Sequence, residues 1–290
     1  MAELAWVNGT ISPIDQARIP INDRGLVFGD GVYEVIAAYR GTMFLFAEHL
    51  RRLRRSLDEI RLEHVEIEPI AKQIEQLYRQ SELDDAKVYL QINRGIAPRD
   101  HAFPQPLPEP SVIITVRELH RHEEVLMEKG VPCITQEDLR WGRVDIKTIN
   151  LLPNVLAKQA AVDAGCYETI LLAPDDTVRE GTSANLFVIN DGALYTHPAN
   201  QRILPGITRE FLLNLAAKNG IVCHEEKYKR DFMMQADEVF ISGTTTEVMP
   251  VVSIDGQAIA DGKPGAITQR LLQLFRDWVE AELAGSSSSE

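Results

Sequence analysis

A lysine stands in the apolar stretch VDIKTINLLPN, residues 144–154. The residues around Lys147 alternate as in a β-strand, which predicts that its side chain points opposite to that of Ile146. A lysine among buried apolar side chains needs a partner or a chemical task, and its amine is a candidate nucleophile for a Schiff base or a general base. The alternative interpretation is a strand-edge lysine whose alkyl stem lies on apolar surface while its ammonium reaches water.

A glutamate in TVREGTSANLF, residues 177–187, is a second candidate. Glu180-Gly181 is typical of a tight turn, and Asn185 leads into an apolar strand. Polar side chains therefore gather at the end of a strand, where loops commonly carry functional sites. The alternative is a solvated hairpin turn.

Two glycine-containing turns offer polar groups, and the first of them is suited to binding a phosphate. In LPGITRE, Gly206 precedes a helix start whose backbone N–H groups have no helical partner, and Thr208 adds a hydroxyl. In SGTTTE, residues 242–247, a glycine and three threonines follow the strand DEVFI. A plain helix start and a polar turn are the alternatives.

The loop NRGIAPRDHAFP, residues 93–104, collects cationic side chains after a predicted strand. Arg99 and His101 in this loop could hold a carboxylate through charge-assisted hydrogen bonds. The alternative is an exposed loop whose charges are simply solvated.

The elements that would carry these residues fall into two groups. Residues 1–117 combine a hairpin at Asn8-Gly9, a second hairpin joining GVYEVIAA to TMFLF, further strands and two amphipathic helices. We expect a small N-terminal α+β domain there, an interdomain linker at 118–124, a larger C-terminal cofactor-binding domain at 125–283 and a disordered tail at 284–290. Because hairpins and helices are mixed along the chain, the fold class is α+β rather than a doubly wound parallel sheet.

Composition excludes several classes of protein. The chain has 290 residues, 44% of them hydrophobic, and a formal net charge of −13, which disfavours nucleic acid and anionic membranes as partners. The three cysteines are widely spaced, and His120 and His122 lack a third ligand, so neither a disulfide scaffold nor a metal site is expected. The start MAELAWVNGT lacks the pattern of a secretion signal, and we expect a cytoplasmic protein.

Taken in order, several motifs resemble one known family over roughly residues 3–280. The chain resembles the pyridoxal-phosphate aminotransferases of fold type IV, most closely the D-amino-acid aminotransferases, and this implies a mixed α+β fold of two domains. The motifs that carry the resemblance are DRGLVFGDGVYEV, EHLRRL, RGIAPRDHAFP, DIKTINLLPNVLAKQ, GCYETIL, VREGTSANLF, YTHPANQRILPGITR and SGTTTEVMPV.

The resemblance implies a role for individual residues. Lys147 would hold pyridoxal 5′-phosphate as a Schiff base and move the proton between the substrate Cα and the cofactor C4′. Glu180 would pair with the pyridine nitrogen, because a carboxylate there keeps the nitrogen protonated and the ring electron-withdrawing. The phosphate would be bound by Arg52, the Ile207 amide, Thr208 and Thr244.

Substrate choice is implied by two loops. In the D-amino-acid enzymes, an Arg-x-His pair that reaches across the dimer helps to hold the substrate carboxylate, and Arg99 and His101 match it, with Tyr33 facing the substrate. The branched-chain L-enzymes instead hold the carboxylate with backbone amides near the SGTTTE turn, where Thr245 would contact the substrate. Gly243, where a serine is expected in D-enzymes, is nearer to the L-enzyme pattern.

The resemblance thus predicts a D-amino-acid transaminase, a homodimer with its active site at the subunit interface. It would exchange amino groups between D-alanine-like donors and 2-oxoglutarate or pyruvate in ping-pong half-reactions. A branched-chain L-aminotransferase, an (R)-amine transaminase and an aminodeoxychorismate lyase are alternatives of the same fold, and the Arg99/His101 pair favours the D-enzyme. A non-catalytic binder of phosphorylated metabolites is the alternative from another class, which would need neither Lys147 nor Glu180.

Overall fold

The structure is a computed structural model, and it describes residues 3–120 and 124–286, the last three without their side chains. Its contacts divide the chain into two units. The first consists of the described residues up to His120 together with Ile146–Asn150, and the second of the rest of the chain up to Gly285. Residues 121–123 of the predicted linker and residues 287–290 of the predicted tail lie outside the described residues. The predicted domain boundaries stay predictions.

The first unit is built from one sheet and two long helices. Its elements are β1 (Leu4–Val7), β2 (Thr10–Pro13), a 3-10 turn (Ile14–Gln16), α1 (Arg24–Phe28), β3 (Gly31–Tyr39), β4 (Thr42–Met43), α2 (Phe46–Glu59), α3 (Ile67–Ser81), β5 (Ala86–Asn93) and β6 (Ser111–Glu118).

All strand pairs of this sheet are antiparallel, in the order β2-β1-β6-β5-β3-β4. The predicted hairpin at Asn8-Gly9 is confirmed, since Val7 pairs with Thr10 across a two-residue turn. Both turn residues have positive φ, +46° and +95°, as a type I′ turn requires.

Apolar residues at helical spacing bury one face of each long helix against the sheet. Leu53 and Leu57 of α2 and Ile74 and Leu77 of α3 are at most 1% exposed and belong to one core cluster with residues of β3, β5 and β6. Burying a side chain of this size contributes about 2 kcal/mol to folding. The predicted helices are therefore confirmed in this unit.

The second predicted hairpin is shorter than the sequence suggested. The strand TMFLF was expected to pair along its length, but β4 ends at Met43 and α2 begins at Phe46. Leu45 has a left-handed φ of +49°, which is incompatible with an extended strand. The chain therefore leaves the sheet two residues after β4 ends.

The second unit contains a larger, mixed sheet. Its elements are α4 (Glu124–Lys129), β7 (Val131–Glu137), α5 (Leu152–Asp163), β8 (Glu168–Leu172), β9 (Val178–Gly181), β10 (Asn185–Asn190), β11 (Ala193–Thr196), α6 (Ile207–Lys218), β12 (Cys223–Glu225), α7 (Arg230–Met234), β13 (Glu238–Gly243), β14 (Glu247–Ile254), β15 (Gln257–Ala258) and α8 (Ala266–Ser286).

The strand order in this sheet is β12-β11-β10-β13-β14-β7-β8-β9, and β15 pairs with β14. The pairs β11–β12, β14–β7 and β7–β8 are parallel and the others antiparallel, as the mixed pattern of hairpins and helices predicted. Phe187 and Phe240, from neighbouring central strands, are fully buried and stack with ring centroids 4.7 Å apart. Such stacking adds about 1 kcal/mol to the gain from burial.

None of the described helices is long and apolar enough to cross a membrane. Among the described residues, no three His, Cys, Asp or Glu side chains are grouped in a way that could bind a metal ion. The three cysteines are free thiols.

Candidate active site

Lys147 lies in the first unit, outside any named strand, and the prediction that it belongs to a strand is wrong. The Thr148 amide donates to the Ile146 carbonyl at 2.8 Å, which closes a three-residue turn centred on Lys147. That bond withdraws an N–H group from strand pairing, and this segment meets β3 through an isolated bridge between Thr148 and Val32 instead of a strand.

The backbone of Lys147 is nevertheless held on both sides. Its carbonyl accepts from the Tyr33 amide at 2.9 Å, and its amide donates to the buried Ser56 hydroxyl at 3.4 Å. The side chain is half-buried, with Nζ 4.3 Å from the centre of the Tyr33 ring. The structure therefore brings these two predicted residues together, and Tyr33 is itself supported by Tyr89, stacked at 5.7 Å.

Arg52 belongs to a buried ionic cluster that the sequence interpretation did not identify. Its Nε and Nη2 donate to the two carboxylate oxygens of Glu34 at 2.8 and 2.7 Å, and His49 Nδ1 lies 2.8 Å from Glu34 Oε2. All three side chains are at most 7% exposed. Two signals in the sequence could have identified these residues. Glu34 lies two residues after Val32 and so shares the buried face of β3, and His49 and Arg52 are spaced i, i+3 on α2.

This cluster has a defined charge state. Burial by itself raises the pKa of Glu34, but the Arg52 guanidinium and His49 outweigh it and lower the pKa to about 2. Burial lowers the pKa of His49, against the opposing effect of Glu34, so the ring is neutral near pH 7. Because a neutral His49 donates from Nδ1 to the carboxylate, its buried Nε2 is an acceptor without a hydrogen-bond partner among the described residues.

Arg99 and His101, the residues predicted to bind a carboxylate, lie in an exposed loop of the first unit. The Arg99 guanidinium carbon lies 5.2 Å from the centre of the Phe28 ring, and the His101 ring centroid is also 5.2 Å from it. Both side chains are exposed, so the guanidinium and the imidazole are accessible to a ligand. Asp100, between them, accepts from the Ala102 amide at 3.0 Å and thereby turns the loop.

Glu180 lies in the second unit, in β9, and the prediction of a turn at Glu180-Gly181 is wrong. The turn falls at 182–184 because Gly181 still pairs with Ile170 of β8, and its amide donates to the Ala184 carbonyl at 2.7 Å. Glu180 is 3% exposed, so the alternative of a solvated turn does not describe it.

Three groups donate to the Glu180 carboxylate. Arg140 Nη1 donates to Oε1 at 2.6 Å, Asn185 Nδ2 to Oε2 at 2.8 Å, and the Leu204 amide to both oxygens at 3.1 and 3.2 Å. Burial raises the pKa of Glu180, and the Arg140 guanidinium opposes that rise. The ionised form therefore depends on these donors.

Arg140 is held in turn by Asp138, which the sequence interpretation missed. Arg140 Nε and Nη2 donate to the two Asp138 oxygens at 2.9 and 3.0 Å, and Arg179 Nη1 donates to the same carboxylate at 2.6 Å. Arginines and carboxylates thus alternate along a chain of contacts that runs from Arg179 through Asp138 and Arg140 to Glu180. No local spacing in the sequence indicates this, because Asp138 and Arg179 are far apart along the chain.

Helix α6 begins next to the Glu180 donors. Gly206 is its N-cap, which has no side chain to cap the helix, and Ile207 and Thr208 form its first turn, as predicted. A Cβ at Gly206 would lie 2.0 Å from Asn185 Oδ1, so only glycine leaves room for the amide that binds Glu180.

Thr244 and Thr245 lie in the turn between β13 and β14. The Thr246 amide donates to the Gly243 carbonyl at 3.2 Å and closes the turn, while Thr244 and Thr245 remain half-buried. Asn185 pairs with Ser242 across β10 and β13, so the turn lies at the same end of the sheet as the Glu180 donors. A Cβ at Gly243 would meet its nearest atom at 3.4 Å, an ordinary contact.

The residues present fit pyridoxal phosphate. In the first unit, Lys147 supplies an amine on a half-buried side chain. The second unit, taken by itself, supplies a buried carboxylate at Glu180 held by several donors, and the N-terminus of α6, whose N-cap residue has no side chain, which favours an anion. The space that Gly206 leaves for Asn185 keeps the Asn185–Glu180 hydrogen bond in place.

Comparison with known proteins identifies the family. Residues 31–254 match the amino-transferase class IV family, and the chain belongs to it. It is a fold type IV aminotransferase, an enzyme class that uses pyridoxal phosphate, so the predicted fold, enzyme class and cofactor are confirmed.

Relatives resemble the chain over nearly its full length. A D-alanine aminotransferase of Staphylococcus epidermidis is 42% identical over 277 residues, covering 95% of this chain and 98% of the relative. One from Bacillus licheniformis is 41% identical, covering 96% and 97%. Among solved structures, the branched-chain amino acid aminotransferase of Escherichia coli matches with a TM-score of 0.87 at 28% identity, covering 94% of this chain and 93% of that one. A branched-chain amino acid aminotransferase from Thermoproteus uzoniensis, solved with norvaline, matches at 0.84 and 27%, covering 95% and 94%.

Proposed function

We propose that the protein is a D-amino-acid transaminase. It transfers the amino group of D-alanine-like amino acids to 2-oxo acids such as pyruvate and 2-oxoglutarate, in two half-reactions that share one cofactor. The observation that carries the proposal is the 42% identity to a D-alanine aminotransferase over 95% of the chain. The Arg-x-His pair at Arg99 and His101 adds support from the site itself.

Pyridoxal phosphate, when bound, supplies an aldehyde that takes up the amino group and a ring that withdraws electrons. Lys147 would hold it covalently and would move the proton between the substrate Cα and the cofactor C4′. Glu180 holds a proton on the pyridine nitrogen, and its contact with Arg140 favours the carboxylate form that this needs.

Several groups are proposed to bind the phosphate. Arg52 contributes a guanidinium, and the Ile207 amide and the Thr208 hydroxyl contribute donors at the start of α6. Thr244 adds a hydroxyl from the β13–β14 turn. Glu34 holds Arg52 in a single orientation, since it binds Nε and Nη2 of that side chain.

The substrate carboxylate is proposed to bind at Arg99 and His101, with Tyr33 and Thr245 also contacting the substrate. The Arg99 and His101 side chains are exposed and pack against Phe28, which leaves their hydrogen-bonding groups open to a ligand. By the resemblance, the pair acts in the partner subunit's site, and we propose a homodimer.

The free cysteines fit a reducing compartment, which supports a cytoplasmic location.

A branched-chain L-aminotransferase is the second candidate, and one residue favours it. Gly243 replaces the serine expected in D-enzymes, and a glycine allows the neighbouring backbone to approach a ligand. The other candidates of this fold, an (R)-amine transaminase and an aminodeoxychorismate lyase, have no comparable support.

Visible absorption of the protein loaded with pyridoxal phosphate distinguishes the two. D-Alanine and L-leucine are added to separate samples. Loss of the visible band with D-alanine alone is the expected result. Loss with L-leucine alone would leave the family and Lys147 intact and transfer substrate choice to the Thr244–Thr245 turn.

A further inference from the structure

Two buried arginines of the first unit contact the segment around His101: Arg24 from α1, and Arg94 from the start of the same loop. Arg24 is 3% exposed and Arg94 is 1% exposed. Both donate from Nε to the same oxygen of Asp30, each at 2.8 Å. Two guanidiniums therefore share one carboxylate, and the group carries an excess positive charge.

Main-chain carbonyls accept hydrogen bonds from the Arg24 guanidinium and so solvate that charge. Arg24 Nη1 donates to the carbonyls of Asp100 at 2.6 Å and of Ala102 at 3.3 Å, and Nη2 reaches the His101 carbonyl at 3.5 Å. A buried guanidinium that lost these acceptors would incur a large desolvation cost. The backbone on either side of His101 is thereby fixed by a residue about 76 positions earlier in the chain.

Aromatic contacts complete this arrangement. The Arg24 guanidinium carbon lies 4.8 Å from the centre of the Phe28 ring, the same ring that contacts Arg99 and His101. The Arg94 guanidinium lies over the Phe103 ring at 3.7 Å, at the far end of the loop. The pair of arginines thus contacts four consecutive residues of the loop, Asp100 to Phe103.

We propose that Arg24, together with Asp30 and Arg94, positions the Arg99/His101 loop and so sets the affinity for the substrate carboxylate. Arg24 is a positioning residue, since its contacts are with the loop backbone and Phe28. A lysine cannot replace it, because one ammonium cannot reach Asp30 and three carbonyls with the planar geometry of a guanidinium. This inference rests on the proposed D-amino-acid transaminase function.

The test is Arg24→Lys in the holoenzyme, with two readouts. The KM for D-alanine and for 2-oxoglutarate should rise about tenfold while kcat changes less than about threefold, since ground-state and transition-state binding of the carboxylate are lost equally. Amide hydrogen exchange of residues 99–103 should increase, while exchange in α3 stays unchanged.

Arg18→Lys is the matched control. Arg18 also donates to backbone carbonyls, but they are those of Asp15 and Ala17 in its own turn, and its side chain is exposed rather than buried. It should alter neither readout. If Arg24→Lys does not fold, Asp30→Asn carries the same test, because it removes the shared charge and keeps an oxygen acceptor.

Unchanged exchange at 99–103 would overturn the inference, and so would faster exchange with an unchanged KM. Equal losses in kcat for every substrate, without a change in KM, would also overturn it and indicate a merely structural role. Absence of D-alanine turnover in the wild type would instead refute the proposed function, and the exchange readout would still report on the loop.

Discussion

Arg52 and Glu34 form a two-point ion pair, with donor–acceptor distances of 2.8 and 2.7 Å, at positions that are 7% and 1% exposed. A pair this deeply buried is costly to break, because the remaining charge is left without its partner. The arginine proposed to bind the cofactor phosphate is thereby fixed before any ligand arrives, and His49 occupies the remaining side of the carboxylate.

Glu34→Gln should lower the free energy of unfolding by about 3 kcal/mol at pH 7. The lowered pKa of Glu34 corresponds to a free energy of this size, and so does the loss of one partner of a buried ion pair. The sign follows from the depressed pKa. The stabilisation by Glu34 is fully present above about pH 4.5 and is lost as the pH falls towards 2. Urea denaturation between pH 7 and pH 3 checks this, with the exposed Glu68→Gln as control. A difference between wild type and variant that does not shrink at low pH would contradict the assignment.

Lys147→Ala should abolish transamination and weaken retention of pyridoxal phosphate, because the covalent attachment is lost. The turn at Lys147 is held by backbone bonds to Tyr33 and Ser56, so the variant should fold. Turnover and cofactor retained after gel filtration are the measurements, and Lys72→Ala, an exposed lysine on α3, is the control. Full activity in Lys147→Ala would remove this residue from the mechanism.

Arg99→Ala should raise the KM for D-alanine and for 2-oxo acids by about tenfold to a hundredfold, the equivalent of one charge-assisted hydrogen bond. The melting temperature should not change, since Arg99 is exposed. Steady-state kinetics with both substrates provide the check. Arg79→Ala, on an arginine whose side chain is 74% exposed, should leave KM unaltered. An unaltered KM in Arg99→Ala would place the carboxylate elsewhere.

Gly206→Ala should weaken pyridoxal phosphate binding by about tenfold or more. A Cβ there would lie 2.0 Å from Asn185 Oδ1 and displace the amide that donates to Glu180, leaving a buried donor and acceptor less well paired. Equilibrium titration of the apoenzyme with the cofactor measures the effect. The control is Gly142→Ala, whose added Cβ meets nothing closer than 3.9 Å. Equal affinities in the two variants would show that the Asn185–Glu180 contact is dispensable.

Much of the fold was predictable because it rests on local patterns. The hairpin at Asn8-Gly9 needs two positive φ angles, and Asn-Gly provides them. The helix start at Gly206 needs no side-chain cap, and the sequence LPGITRE indicates it. Where local pattern misled, at Lys147 and at Glu180-Gly181, a single hydrogen bond decided between turn and strand, and no residue pattern marks where that bond forms.

The sequence by itself determined which chemistry is available: an amine at Lys147, a carboxylate at Glu180 and an Arg-x-His pair, in an order shared with one enzyme family. Only the tertiary structure decided which residues hold these groups in place. Glu34 meets Arg52 across 18 positions, Arg140 meets Glu180 across 40, and Arg24 meets the loop across 76. The physical reason is that a buried charge needs a partner at hydrogen-bond distance, whatever its position in the chain, and no local periodicity encodes that choice.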